Sequence, residues 1–208
     1  DHYIVNGTKS FISGGGYSDV YVTMVRTGDQ SSSGISTLMI EKDCPGISFG
    51  AQEKKMGWNS QPTAQVIFED CRVPVKNLLG KEGDGFKIAM KGLDGGRLNI
   101  AACSLGTAQS AFERAVEYVG DREQFGNKLQ DFQSIQFKLA DMATELEASR
   151  LMLRSAAVKV DENAPDKTKS AAMAKRFVTD LGFKIVNEAL QIHGGYGYLK
   201  DYPLERNL

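Results

Sequence analysis

Histidine is nearly absent: His2 and His193 are the two in the chain. With no HExxH pair on a helix and no CxxC, the sequence argues against zinc or iron held by side chains. A Ser–His–Asp site would have to use His193, and no GxSxG elbow presents a serine to it. Cysteine is also scarce. Cys44, Cys71 and Cys103 are widely spaced and odd in number, which fits a reducing compartment and argues against a disulfide framework. No apolar run reaches the ~20 residues of a membrane span. Nor is there an excess of one charge: 25 Lys and Arg stand against 26 Asp and Glu. Neither nucleic acid nor an anionic membrane is therefore expected as the main partner. Asp141, Glu145 and Glu147 lie among Lys138 and Arg150 and read as a solvated helix face, not as a general acid and base.

What remains is 208 residues of ordinary globular composition, enough for one or two domains. The chain opens DHYIVNGTKSFISGG, with no initiator Met and no targeting segment. Asn6-Gly7 between Tyr3–Val5 and Thr8–Phe11 predicts a hairpin, so the opening reads as the middle of a domain and a fragment is expected. Strand-like stretches follow at 19–26, 34–41, 46–50 and 64–73, with turns rich in Gly, Pro, Asn and Ser between them. After Pro74 the period changes. Helical patterns run over 86–119, with an interruption expected at Gly95-Gly96, over 132–160, and over 167–193. The predicted fold class is α+β: an antiparallel β-sandwich or barrel-like domain over 1–80, then an antiparallel helical bundle over 81–208. The loop GKEGDGF at 80–86 lacks the GK[ST] ending of a phosphate loop and reads as a hinge.

Four stretches resist a purely structural account. Phe11 and Ser13 flank Ile12 at a strand end and are expected on one face. Asp121-Arg122-Glu123-Gln124-Phe125-Gly126 is a polar turn holding a buried-type aromatic, and Arg122 has the planar fork that grips phosphate. Leu93-Asp94-Gly95-Gly96-Arg97 puts a double glycine inside a helix, which weakens it unless something packs there. QIHGGYGY at 191–198 ends a helix with three glycines where a cap needs one. A strand end, a surface turn, a tolerated helix defect and a cap are the plain alternatives.

In order and spacing these stretches resemble the acyl-CoA dehydrogenases. The resemblance covers the whole chain, through NGTKSFIS, IFEDCRVP, GKEGDGF, REQFG, FQSIQFKLADMA and QIHGGYGYLKDYP. Within that family, GWNSQP, LDGGRLNIA and HGGYGYLKDY are most similar to the branch that acts on isobutyryl-CoA. The resemblance implies a middle β domain entered partway and most of a C-terminal helical domain. It implies FAD as cofactor. Phe11 would pack on the flavin and Ser13 would stand near its N5, with Ile12 between them, although many relatives carry Trp and Thr there. Arg122, Gln124, Phe125, Phe132 and Gln133 match positions that hold the adenine-nucleotide half of FAD across a subunit interface. Gln191, Ile192, His193, Gly194 and Gly195 match a main-chain cradle for that same half. Asp94, Gly95, Gly96 and Arg97 match the substrate-side helix.

The implied reaction is α,β-dehydrogenation of a short branched acyl-CoA, as in valine breakdown, with electrons passed to electron-transfer flavoprotein. No catalytic base is found among residues 1–208. One subgroup carries a Glu immediately before the helix arginine, where this chain has Gly96. The other carries it beyond YPLER, downstream of Leu208. The implied assembly is a homo-oligomer, a dimer or dimer of dimers, with no nucleic-acid or membrane partner. It would sit in the mitochondrial matrix of a eukaryote or the cytoplasm of a bacterium. A non-catalytic binding member of the same fold and a nitroalkane-oxidase-like flavoenzyme are the alternatives.

Overall fold

The computed structural model describes residues 1–208. They divide into two compact units, Asp1–Lys91 and Gly92–Leu208.

The first unit holds two three-stranded antiparallel sheets. One has the order β1 (His2–Ser13), β5 (Thr63–Pro74), β4 (Ile47–Phe49); the other has β2 (Val20–Arg26), β3 (Ile35–Glu41), β6 (Leu78–Leu79). Val5, Val66, Phe68, Cys71 and Val73 of the first sheet share a core with Tyr21, Leu38 and Ile40 of the second, so the sheets form a sandwich. In β5 the buried positions from Ala64 are even up to Phe68 and odd from Cys71. The change of parity has a local cause. Asn6 of β1 faces two residues, Glu69 and Asp70, because Val5 pairs with Cys71 and Gly7 with Phe68. This bulge resets which side chains face the core.

The same bulge corrects the expected hairpin at Asn6-Gly7. The Asn6 amide donates to the Asp70 carboxylate at 3.1 Å and accepts from the Asp70 N–H at 2.8 Å. These bonds hold Asn6 in a continuous twelve-residue strand. GKEGDGF is a close-packed connection: a Cβ on Gly85 would meet the Ile35 carbonyl oxygen at 2.7 Å, and the Gly83 N–H donates to Ser36 Oγ at 3.0 Å. It leaves no cradle for a phosphate.

Three long helices follow: α1 (Gly85–Asp121), α2 (Gln133–Asp161) and α3 (Lys167–Ile192). Between α1 and α2 a short hairpin pairs β7 (Glu123–Gln124) with β8 (Asn127–Lys128). Within the second unit α1 buries Ala101, Leu105, Ala108, Ala111, Ala115 and Val119, a stripe at helical spacing. Met142 and Leu146 of α2 and Val178, Ile185, Val186, Ala189 and Ile192 of α3 close the core. Lys138–Glu188 and Lys184–Glu145 ion pairs tie α2 to α3, so part of the charged face on α2 bridges helices. The interruption expected at Gly95-Gly96 does not occur; α1 is continuous there. Asp94 anchors the stretch. Its carboxylate accepts from Arg97 Nη1 and from Thr168 Oγ1 of α3, each at 2.8 Å. The bond from Thr168 is tertiary, and it opposes the ~1 kcal/mol which each glycine costs a helix relative to alanine.

Candidate functional site

The site residues read from the sequence fall into separate groups, and three of them contain a residue in the left-handed region: Phe11, Phe125 and Gly194. In the first unit Lys9 pairs with Val66 and Ile12 with Ala64, so Ser10 and Phe11 together face Gln65. This second bulge puts Phe11 at φ 57°. Positive φ is rare for a bulky residue, and such strain gathers at functional sites. Ile12 packs against the sandwich core, while Phe11, 75% exposed, and Ser13 remain outside it.

In the second unit the polar turn expected at 121–126 is the β7–β8 hairpin. Phe125 at φ 57° and Gly126 at φ 81° make the two central residues of a mirror-image turn suited to a two-residue hairpin. Phe125 is not buried, as its type suggested, but 91% exposed at the tip. Again an aromatic ring is displayed from a left-handed backbone.

The end of α3 separates the roles of its glycines. Gly194 takes φ 57°, the left-handed residue that ends the helix. A Cβ on Gly197 would lie 2.4 Å from the Leu190 carbonyl oxygen, so the chain itself requires that glycine. Gly195 has neither constraint: its φ is ordinary and its Cβ would meet nothing within 4 Å. Helix capping therefore accounts for Gly194 and packing for Gly197, and neither accounts for Gly195. Gly197→Ala should lower stability by about 1–3 kcal/mol through overpacking. Gly195→Ala should stay within about 0.5 kcal/mol in a thermal melt, as open surface positions do. The same Gly195 variant should retain less flavin after gel filtration if a ligand lies against that backbone.

His193 is buried beside these glycines, with Nδ1 2.8 Å from the Ala189 carbonyl oxygen, which makes Nδ1 the protonated nitrogen of a neutral ring. The ring stacks on Tyr118 at 4.2 Å and meets the edge of Tyr202 at 5.7 Å. Burial pushes the Tyr118 phenol up, opposed by Arg122. Burial also pushes the His193 imidazole below its ordinary 6.5; the bond to Ala189 opposes this, and Arg114 adds to it. The unfolded chain then binds the proton more readily than the folded one. Stability from this residue is full above about pH 6.5 and is lost as the pH falls through the folded value. Melting temperatures measured from pH 8 downward should decline below about pH 6.5, and the decline should be shallower in His193→Gln.

Arg122, Gln124, Ile192, His193, Gly194 and Gly195 together line one cavity of about 410 Å³. Arg122 is the sole charged residue in that lining and enters no ion pair. Its guanidinium lies 5.2 Å from the centre of the Tyr196 ring. An adjoining cavity of about 480 Å³ shares Tyr118, Arg122, His193 and Tyr196. Phe125, Phe132, Gln133 and Gln191 do not line either. Phe132 caps the start of α2, and Gln133 and Gln191 are exposed. The tyrosines 118, 196 and 202 were missed from the sequence; the available signal was Tyr118 one helical turn before Arg122. The cavity suits an anionic ligand laid on bare backbone: one free guanidinium, a glycine with room above it, and an aromatic wall. That is the chemistry a dinucleotide pyrophosphate requires, and FAD fits these residues.

On α1, Asp94 is buried with both carboxylate oxygens engaged, whereas Gly96 is exposed with nothing within 4 Å of a Cβ. Arg97 remains partly accessible, its side chain 32% exposed. No group of three or more His, Cys, Asp or Glu residues is placed to hold a metal ion, and no helix is long and apolar enough to cross a membrane.

Two family models match the chain: "Acyl-CoA dehydrogenase, middle domain" over residues 1–71 and "Acyl-CoA dehydrogenase, C-terminal domain" over residues 83–208. The mitochondrial isobutyryl-CoA dehydrogenase of Dictyostelium discoideum is 59% identical over 100% of this chain and 50% of its own length. The butyryl-CoA dehydrogenase structure from Megasphaera elsdenii superposes with a TM-score of 0.95 at 45% identity, covering 99% of this chain and 54% of that one. A chain from the structure described as "Electron transferring flavoprotein of Acidaminococcus fermentans: Towards a mechanism of flavin-based electron bifurcation" gives a TM-score of 0.95 at 50% identity, covering 100% of this chain and 55% of that one. The chain spans about half the length of the curated relatives it matches.

Proposed function

This chain belongs to the acyl-CoA dehydrogenase family, and we propose that the full protein dehydrogenates a short branched acyl-CoA of the isobutyryl type at its α,β carbons. The observation that carries the reading is the convergence of Arg122, Gln124 and the His193–Gly195 backbone on one cavity whose sole charge is an unpaired cation. Family members are flavoproteins, and bound FAD would supply the acceptor for the substrate's β-hydrogen. Arg122 would neutralise its pyrophosphate, and Gly194 and Gly195 would let the nucleotide half approach the main chain. Phe11 and Ser13 would stand at the flavin end. The identity to an isobutyryl-CoA dehydrogenase over the whole chain supports the branched substrate.

An α-proton next to a thioester is too weakly acidic to leave unaided. The carbonyl must be polarised by hydrogen bonds and the proton taken by a positioned carboxylate. Asp94 is committed to Arg97 and Thr168, and Gly96 has no side chain. Following the family resemblance, we propose the base in a segment beyond Leu208 and Arg97 as the substrate-side cation. Electron-transfer flavoprotein is the proposed acceptor, supported by the likeness to the chain from Acidaminococcus fermentans. A eukaryotic version would work in mitochondria, as the name of the Dictyostelium relative implies for that protein.

A dimer or dimer of dimers is the proposed assembly. Phe137 and Leu151 of α2 and Met173 and Phe183 of α3 each leave more than half their surface exposed, a face that self-association would cover. Light scattering on the flavin-bound full-length protein should show no monomer; a stable flavin-bound monomer would contradict this. The activity itself is tested by an electron-acceptor assay with isobutyryl-CoA, straight-chain butyryl-CoA and a nitroalkane. Fastest turnover with isobutyryl-CoA supports the reading. Turnover of the nitroalkane alone, or of none of them, overturns it.

A further inference from the structure

The three cysteines are free thiols, but the fold does not keep them all apart. Cys44 lies in the turn before β4 and Cys71 in β5, and their sulfurs stand 3.3 Å apart. An S–S bond is ~2.0 Å long, so the two sulfurs stand roughly 1.3 Å beyond bonding distance. The two thiols differ in setting. Cys71 is fully buried and donates to the Cys44 sulfur, whereas Cys44 is half-buried and lines a cavity of about 300 Å³. The cavity wall carries Arg72 and Lys76 together with Glu41 and Asp43. Mixed charge of that kind suits a zwitterionic peptide. The flavin chemistry proposed above uses none of these residues.

We propose that Cys44 and Cys71 are a thiol–disulfide exchange site for low-molecular-weight peptide disulfides of the glutathione type, with Cys44 the attacking and Cys71 the resolving sulfur. The Cys44 thiolate attacks one sulfur of the small disulfide; that S–S bond breaks and one peptide thiol leaves with a proton. Cys71 then attacks the Cys44 sulfur of the mixed disulfide, and the second peptide thiol leaves with the Cys71 proton. Two protein thiols are oxidised and one small disulfide is reduced to two thiols. The order of attack follows from the environments: Cys44 is half-buried and lines the cavity, whereas Cys71 is fully buried, and burial, then the bond to Cys44, push its thiol up to about 12. The product staples the turn before β4 onto β5.

The test treats the native full-length protein with oxidised glutathione, blocks remaining thiols with an alkylating agent and maps the peptides. The expected result is a Cys44–Cys71 cross-linked peptide with both residues lost from the alkylated pool, reversed by dithiothreitol. Cys103, exposed on α1, should carry glutathione or the alkyl label. Cys71→Ser should halt at glutathione on Cys44, and Cys44→Ser should leave Cys71 unreacted until the protein is denatured. Glutathione persisting on Cys44 of the unsubstituted protein while Cys71 stays a thiol would overturn the proposal. So would the absence of reaction at both residues. Flavin content and turnover of the reduced protein are read separately, so a failure of the dehydrogenase reading would leave this result standing.

Discussion

Replacing the base carboxylate proposed beyond Leu208 by its amide should lower isobutyryl-CoA turnover by about 10²–10⁴-fold, the usual contribution of a positioned base. Flavin content should stay unchanged. The expectation rests on what the substrate-side stretch of α1 lacks. Gly96 offers no proton acceptor, and its Cβ position opens on empty space. Asp94, two residues away, is buried where Gly96 is exposed, and its oxygens are held by Arg97 and Thr168. Freeing Asp94 to act would break a bond between α1 and α3. Steady-state assays of the Glu→Gln or Asp→Asn variant against the parent, both loaded with FAD, check this. Full activity in the variant would move the base elsewhere.

The second large effect belongs to Arg122. In the full-length protein Arg122→Ala should weaken FAD retention by about 2 kcal/mol, or roughly 30-fold, through loss of charge-assisted bonds. Arg122→Lys should fall between the two, because it keeps the charge and loses the planar fork. The folded chain itself should suffer little. Arg122 has no ion pair to lose, and its contact with Tyr196 is a cation–π interaction worth about 0.5–1 kcal/mol at an exposed site. The comparison of flavin content after dialysis with melting temperature of the apoprotein separates the two roles. Unchanged flavin content would remove Arg122 from the site.

Much of the fold could be read from periodicity. Alternation and β-branched runs placed the sandwich strands except the two-residue β6, and the 3.6-residue period placed all three helices, because both patterns are local. The misreadings have non-local causes. Asn6-Gly7 has the composition of a hairpin turn, but Asp70, 64 residues on, captures the Asn6 side chain within a continuous strand. Gly95-Gly96 has the composition of a break, but Thr168 reaches across from α3 to hold Asp94. Phe125 has the type of a core residue, but it stands at the tip of the Phe125-Gly126 turn and its ring is exposed.

The candidate site was legible only in part, and by resemblance. Arg122 and the glycines at 194–195 stood out as residue types, yet nothing in the linear order joins the end of α1 to the end of α3. That junction is made by packing: Tyr118, a turn before Arg122, stacks on His193, and Tyr196 covers the Arg122 guanidinium. The division of labour among Gly194, Gly195 and Gly197 likewise needed the position of the Leu190 carbonyl. The thiol pair is the clearest case. Wide spacing suggested unrelated cysteines, and the antiparallel return of the chain places two of them 3.3 Å apart.

Anaerobic titration of the purified full-length protein with isobutyryl-CoA, followed by flavin absorbance, tests the central claim most directly. The account predicts that the protein carries oxidised flavin and that its long-wavelength band bleaches as substrate is added. A flavin that stays oxidised in the presence of excess isobutyryl-CoA, or a protein that binds no flavin, would contradict it.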